Sequence, residues 1–209
     1  MTVLLIAVNV AVFIHQIFLP AGLETRFIYQ YAVIPLEFRL GHNISLSPGF
    51  FPIFSIFTAM FLHGGWFHLI GNMLYLWIFG DNVEERMGSF RFLLFYLLCG
   101  VIATFAQIYA NFHSTIPSLG ASGAIAGVLA AYLRLFPRAR VAVLVPIFVF
   151  LRSVILPAWL VLGLWILLQI LEVQTQPIGQ AGGVAYFAHI GGFVAGLLFM
   201  PLFLKKGSR

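Results

Sequence analysis

Two residues of this sequence have side chains and surroundings that would allow nucleophilic chemistry. Ser122 lies in SLGASGAIAG (118–127), among glycine, alanine and apolar residues, and His189 lies in AHIGG (188–192). A histidine within hydrogen-bond reach of a serine hydroxyl can take its proton and make the oxygen a nucleophile. The alternative interpretation is structural, because serine is a common contact residue between membrane helices.

His68 and Asn72 are candidates for a second part of the same chemistry, the stabilisation of negative charge on a carbonyl oxygen. Four residues apart on a helix, they project from one face, and a ring N–H and an amide N–H would provide two donors. The backbone N–H of Ser122, at a helix start, is a third, and Gly120 lets a substrate backbone approach. Hydrogen bonding between helices is the alternative role for His68 and Asn72.

The few ionisable residues exclude several other kinds of site. None of the six acidic residues lies in the middle of an apolar stretch, which excludes a pair of intramembrane catalytic aspartates. Both lysines, Lys205 and Lys206, are in the C-terminal tail, so neither can serve as the base for Ser122. The sequence contains no HExxH zinc motif, and we predict neither a metal nor a cofactor.

The composition is that of an integral membrane protein forming a single domain, 1–209. Of the 209 residues, 62% are hydrophobic and 8% are charged, whereas soluble proteins carry about 25% charged residues. Six stretches approach the roughly 20 apolar residues that a transmembrane helix needs, the first being a span rather than a signal peptide. The apolar stretch 50–62 is too short, and we predict that it is interfacial or re-entrant. The stretch 141–151 is not counted either, because it contains Pro146 and stops at Arg152. The six predicted spans are 2–19, 66–82, 92–111, 122–136, 154–171 and 186–204.

The basic residues predict the orientation of these spans. With six spans, nine Lys and Arg residues lie on the side of both termini, and only Arg26 and Arg39 lie on the other. This asymmetry predicts cytoplasmic termini, so the net charge of +5 does not indicate a nucleic-acid partner. With this orientation, three of the predicted helices begin near the outer surface. Their first two turns carry His68, Asn72, Ser122 and His189. Convergence of polar side chains at one depth favours function over packing.

The fourth and sixth spans carry small residues at helical spacing. Gly123 and Gly127 lie on one, and Gly192 and Gly196 on the other. Glycines four residues apart let two helix backbones approach closely in a membrane. We therefore expect these two helices to touch, which would bring Ser122 and His189 within hydrogen-bond reach.

Four motifs in chain order, HGGWFHLIGN (63–72), EER (84–86), GASG (120–123) and AHIGG (188–192), resemble the rhomboid family of intramembrane serine proteases over essentially the whole chain. The resemblance implies an all-α fold, a bundle of six transmembrane helices with a long, partly helical first extracytoplasmic loop. It implies that Ser122 is the nucleophile, His189 the base, and His68 and Asn72 the oxyanion donors. Glu84 and Arg86 match a structural ExR pair, and His63 has a supporting role. The implied substrates are single-span membrane proteins in the lipid bilayer, cut in or near the transmembrane segment.

The sequence departs from the family pattern at one point near the site. Many members have an aromatic residue one turn after the serine, stacked on the catalytic histidine, where this chain has Ala126. Other contacts must then orient His189. We also predict a mobile cap at 174–185, QTQPIGQAGGVA, and a location in the plasma membrane of a prokaryote.

Two other functions compete with proteolysis. A non-catalytic rhomboid-like protein would bind transmembrane helices without cutting them, although such proteins lack one or both residues of the pair. A membrane redox protein would hold haem between His68 and His189, the two histidines well inside predicted spans.

Overall fold

The computed structural model describes residues 1–20, 22–42, 44, 52–147, 150–175 and 184–205. Long apolar runs form the long helices, with Pro201 near the end of the last one, and the short elements lie in the connections. In chain order the helices are α1 (Thr2–Ile17), α2 (Leu23–Tyr31), α3 (Pro35–Leu40), α4 (Pro52–Thr58), α5 (Trp66–Met87), α6 (Ser89–Ala110), α7 (Ser122–Leu135), α8 (Ala158–Thr175) and α9 (Tyr186–Phe203). A 3₁₀ turn, Ala59–Phe61, follows α4, and two strands, β1 (Arg140–Ile147) and β2 (Phe150–Pro157), precede α8.

The centre of the bundle is formed by α6, α7 and α9. Helix α9 packs along both α6 and α7, while α5 packs on α7 and α1. Ten consecutive residues of α7, from Gly123 to Tyr132, are buried, so this helix is enclosed by its neighbours. The aromatic side chains of Phe92, Phe95 and Tyr96 fill the space behind it and are fully buried. A helix that is apolar all round and enclosed in this way forms the core on which the others are arranged.

Glycines make the contact between α7 and α9, as their spacing predicts. A Cβ atom on Gly192 would overlap the carbonyl oxygen of Gly123, and one on Gly196 would overlap that of Gly127. A Cβ atom on Gly127 would lie 2.5 Å from Sγ of Cys99 in α6 and 3.1 Å from the carbonyl oxygen of Gly192 in α9. Backbone therefore meets backbone, at a separation that any larger side chain would prevent.

The lengths and hydropathy of the helices identify a membrane protein. Among the described residues, α6 and α9 are long and apolar enough to cross a membrane, and α4 with the 3₁₀ turn and α5 forms a third candidate bent by 80°. Helices α1, α7 and α8 are apolar but shorter. Large apolar side chains such as Phe67 and Leu202 are exposed on the outside, as expected of a surface facing lipid. Each predicted span coincides with a helix, while the crossing of the membrane by all six stays a prediction.

One part of the chain was predicted wrongly. Residues 140–147 and 150–157 form two antiparallel strands, with Arg140 opposite Pro157 and Ile147 opposite Phe150, and the helix predicted at 154–171 accordingly begins at Ala158. The run VAVLV is rich in β-branched residues, which favour strands, and Pro146 would remove a backbone hydrogen bond from a helix interior. In the described part of the chain, this strand pair adds to a fold that is mostly helical. Of the predicted cap at 174–185, residues 176–183 lie outside the described part.

Glu84, near the end of α5, joins three helices. Its carboxylate accepts hydrogen bonds from the backbone N–H of Thr2 at 2.7 Å and from the hydroxyl of Ser89 at 2.6 Å. Both donors lie in the first turn of a helix, where backbone N–H groups lack partners and a negative charge is favourable. The guanidinium of Arg86 lies 5.8 Å from the centre of the Phe136 ring. These contacts lie at the opposite end of α5 from His68 and agree with a structural role for Glu84 and Arg86.

Candidate active site

The four polar residues singled out in the sequence line one cavity. Ser122, His189, His68 and Asn72 come from the first two turns of α7, α9 and α5, and the cavity has a volume of about 1210 Å³. Trp165 of α8 and Tyr186 of α9 also line it. Three helices that start at the same end of the bundle thus bring a hydroxyl, two imidazoles and an amide to a common space.

Ser122 is the first residue of α7, and the turn that precedes it is held by the connection between α1 and α5. The N–H of Gly120 donates to the carbonyl of Ala59 at 2.8 Å, and Ser118 and Val33 exchange two backbone hydrogen bonds of 2.7 and 3.0 Å. At the first helical position the backbone N–H of Ser122 has no partner within the helix. Hydroxyl and N–H are therefore both available at a position that two neighbouring segments fix.

His189 is placed by the glycine contact between α7 and α9. Gly123 follows Ser122, and a Cβ atom on it would lie 3.6 Å from the Cβ and the carbonyl oxygen of Ala188. Ala188 in turn precedes His189 in the chain. The side chain of His189 is buried, with 7% exposed, and faces the same cavity as Ser122.

Helix α8 provides the contacts that orient His189. Nδ1 of His189 lies 2.6 Å from Oε1 of Gln169, and the ring centre is 5.5 Å from that of Trp165, with 36° between the planes. Tyr186 meets the imidazole edge-on at 6.4 Å. Sequence analysis missed Gln169, although an amide in the middle of an apolar helix is the same kind of signal as the residues it did select.

His68 presents one defined nitrogen to the cavity. The N–H of Gly64 donates to Nδ1 of His68 at 3.3 Å, so Nδ1 carries a lone pair and the proton of the neutral ring is on Nε2. Nε2 in turn lies 2.8 Å from the position that a Cβ atom of Gly120 would occupy, and Oγ of Ser122 lies 3.9 Å from the same point. An N–H donor is therefore directed at the turn that carries the serine.

Asn72 is buried below His68 on the same face of α5. Its side-chain amide donates to the backbone carbonyl of His68 at 3.0 Å, which holds the side chain against its own helix and leaves a second amide proton. Of the two donors predicted on this face, His68 is thus the one aimed at the serine turn, and Asn72 lies one turn deeper.

His63, in the segment between the 3₁₀ turn and α5, is fully buried behind His68. Its ring packs edge-on against that of His68 at 5.1 Å and that of Phe13 at 6.5 Å. Burial, with a smaller contribution from His68, lowers the pKa of His63 to about 4, so the ring is neutral near pH 7. The backbone carbonyl of His63 accepts from Nε2 of Gln16 at 2.8 Å, which ties this segment to α1.

Within the described ranges, no three His, Cys, Asp or Glu side chains are grouped closely enough to hold a metal ion.

Gly120 allows a specific prediction. Its φ of +124° lies in a region that side chains disfavour, and an added Cβ would press on the His68 ring. We expect Gly120→Ala to lower stability by about 1–3 kcal/mol and to displace the His68 donor, which would reduce any acyl-transfer activity further. Gly41→Ala is the matched control, because its φ of +72° imposes strain with no atom within 4 Å. Denaturation midpoints in detergent and cleavage activity should be measured for both variants. An equal loss of activity in Gly120→Ala and Gly41→Ala would contradict a specific effect on the His68 donor.

The fold and the site define a class of protein, a helical membrane protein in which a serine and a histidine on adjoining helices share a cavity with further hydrogen-bond donors. The model of the Rhomboid domain matches residues 52–206. The chain therefore belongs to the rhomboid family.

Several relatives support this assignment. The chain is 34% identical over 148 residues to the presenilin-associated rhomboid-like protein, mitochondrial, of Bos taurus, covering 68% of this chain and 36% of that protein. It is 31% identical over 160 residues to the rhomboid-like protein 11, chloroplastic, of Arabidopsis thaliana (72% and 52%). Rhomboid protein 1, mitochondrial, of Saccharomyces cerevisiae is 32% identical over 152 residues (69% and 40%).

The chain thus spans from about a third to about half of the length of these relatives. Their names place them in mitochondria or chloroplasts and give no support to the predicted prokaryotic plasma membrane.

Proposed function

We propose that this protein is an intramembrane serine endopeptidase that hydrolyses peptide bonds in or near the transmembrane segments of single-span membrane proteins. The observation that carries the proposal is the shared cavity of Ser122, His189, His68 and Asn72. Membership of the rhomboid family supports it. In this proposal all six apolar helices cross the bilayer, both termini are cytoplasmic and the cavity opens to the extracytoplasmic side.

The reaction would proceed by acyl transfer. His189 takes the proton from the Ser122 hydroxyl as Oγ attacks the carbonyl carbon of the scissile bond, and the carbonyl oxygen becomes negative. The imidazolium then gives that proton to the departing amine, leaving an ester on Ser122. Water, deprotonated by the same histidine, hydrolyses the ester and restores the serine. In each half-reaction, His189 therefore accepts one proton and then donates it, first to the departing amine and later to the Ser122 oxygen.

The negative oxygen needs donors placed before the reaction begins. The Nε2–H of His68 and the backbone N–H of Ser122 are donors at the serine turn, and Asn72 adds an amide proton one helical turn deeper. Removing one donor of this kind typically costs about 3–4 kcal/mol of transition-state stabilisation. The absence of a Cβ atom at Gly120 lets the His68 ring lie directly against the serine turn, since a Cβ there would be 2.8 Å from Nε2.

The proposal is tested with the purified protein in detergent and in liposomes. A single-span substrate with small residues in its outer half should yield two fragments, with the new termini located by mass spectrometry. A fluorophosphonate probe should modify Ser122, and not Ser153, which is exposed on β2. Binding of the substrate without cleavage or labelling would favour a non-catalytic helix-binding protein. A coloured preparation with a haem spectrum would favour the redox alternative.

A further inference from the structure

We propose that Gln169 of α8 is the positioning residue of His189, holding the imidazole in the tautomer that a general base requires. This inference rests on the proposed function and assigns a role within the same site. Gln169 Oε1 lies 2.6 Å from Nδ1 of His189. The partner on α8 is an uncharged amide, where serine hydrolases with a triad have a carboxylate.

The orientation of the Gln169 amide is set by its own helix. Nε2 of Gln169 donates to the backbone carbonyl of Trp165 at 3.4 Å. Reversing the amide would place its oxygen against that carbonyl and its NH₂ against His189, so the observed orientation is the one in which both contacts are attractive. An amide oxygen can only accept. Nδ1 of His189 must therefore carry the proton.

With the proton on Nδ1, Nε2 of the neutral ring carries a lone pair. That lone pair is what removes the proton from the Ser122 hydroxyl in the proposed reaction. In the opposite tautomer, Nε2 would be a donor and could not accept the proton. A residue that fixes the tautomer thus decides what fraction of the molecules is ready to react.

The same helix also holds the plane of the ring. Trp165 lies one turn before Gln169, on the same face of α8, and its ring is tilted by 36° to the imidazole at 5.5 Å. Ala126 on α7 is fully buried among Ala130 and Phe193 and brings no ring to His189. Helix α8 therefore supplies both the packing surface and the hydrogen bond that orient the base in this chain.

The amide fixes the orientation of His189 without adding a negative charge. Among the described residues, the titratable groups that face His189 are His68 from α5 and Tyr186 from α9, and neither is an anion at neutral pH. A carboxylate at position 169 would favour the imidazolium, so Gln169→Glu should move the acidic limb of the pH–rate profile to higher pH.

The test compares three variants with the parent in detergent. Gln169→Leu removes the acceptor, and we expect kcat to fall by about 10- to 100-fold, part of what a general base contributes, with KM nearly unchanged. Gln169→Glu restores an acceptor oxygen and should recover kcat to within about tenfold of the parent at its pH optimum. Asn82→Leu is the control, the loss of an exposed side-chain amide at the opposite end of α5 from His68, and should leave both constants unchanged.

The outcomes separate this inference from the proposed function. An active parent whose kcat is unaffected by Gln169→Leu, or in which only KM rises, would overturn the positioning role and leave the protease intact. Equal losses in Gln169→Leu and Gln169→Glu would overturn it as well. If Gln169→Leu does not fold, as judged by its denaturation midpoint, the pH profile of Gln169→Glu decides, and an unmoved acidic limb counts against the proposal. An inactive parent instead contradicts the proposed function.

Discussion

Replacing Ser122 by alanine is expected to lower the rate of substrate cleavage by about 10⁴-fold or more, and His189→Ala is expected to do the same. Loss of either member of a serine–histidine pair removes the nucleophile or its activation, and in serine proteases the two losses are similar in size because the residues act as a unit. The double variant should be no slower than either single variant. The measurement is single-turnover cleavage at saturating enzyme.

Matched controls make this result specific. Ser153→Ala changes an exposed serine of β2, and His42→Ala changes an exposed histidine of the connection between α1 and α5; both should cleave at the parental rate. Fluorophosphonate labelling should be lost in His189→Ala although Ser122 is still present. Cleavage by Ser122→Ala within about tenfold of the parent would return Ser122 to a role in helix packing.

The largest effect on stability is expected for Gly192→Ala. Its Cβ would overlap the carbonyl oxygen of Gly123, so α7 and α9 would have to separate along their whole contact. Overpacking of a buried site costs about 1–3 kcal/mol and occasionally more, and we expect the upper end because the atom in the way is backbone. Since α7 and α9 carry Ser122 and His189, activity should fall even in the fraction that folds.

Gly163→Ala provides the control for this prediction. Gly163 lies inside α8 with nothing within 4 Å of an added Cβ, and alanine is the better helix former by about 1 kcal/mol. Gly163→Ala should therefore be neutral or slightly stabilising. The unfolding of both variants by SDS in mixed micelles should be measured. Equal unfolding midpoints for Gly192→Ala and Gly163→Ala would show that α7 and α9 can move apart without a loss of stability.

Much of the bundle was predictable from the sequence because apolar length is a strong constraint in a membrane. Each predicted span has a helix within a few residues, and the glycines of α7 and α9 meet as their spacing indicates. The strand pair 140–147 and 150–157 was not predicted, because a short apolar run with a proline does not distinguish a strand from a broken helix.

The candidate site was predictable in its members and not in its hydrogen bonds. Ser122, His189, His68 and Asn72 stand out as polar residues at the starts of apolar helices. The tautomer of His68 depends on the N–H of Gly64, and the orientation of His189 depends on Gln169, twenty residues earlier in the chain. Such contacts depend on the rotation of one helix against another, which residue spacing within a helix does not determine.

The contact between α7 and α9 also limits how a membrane-embedded substrate can reach the proposed site. Because backbone touches backbone there, no side chain at Gly123, Gly127, Gly192 or Gly196 can change rotamer to open a passage. Parting these helices would expose carbonyl groups to lipid, and it would pull the serine away from its base at the moment of binding. In the proposed function, a transmembrane segment would therefore enter between helices that meet through side chains and not between α7 and α9.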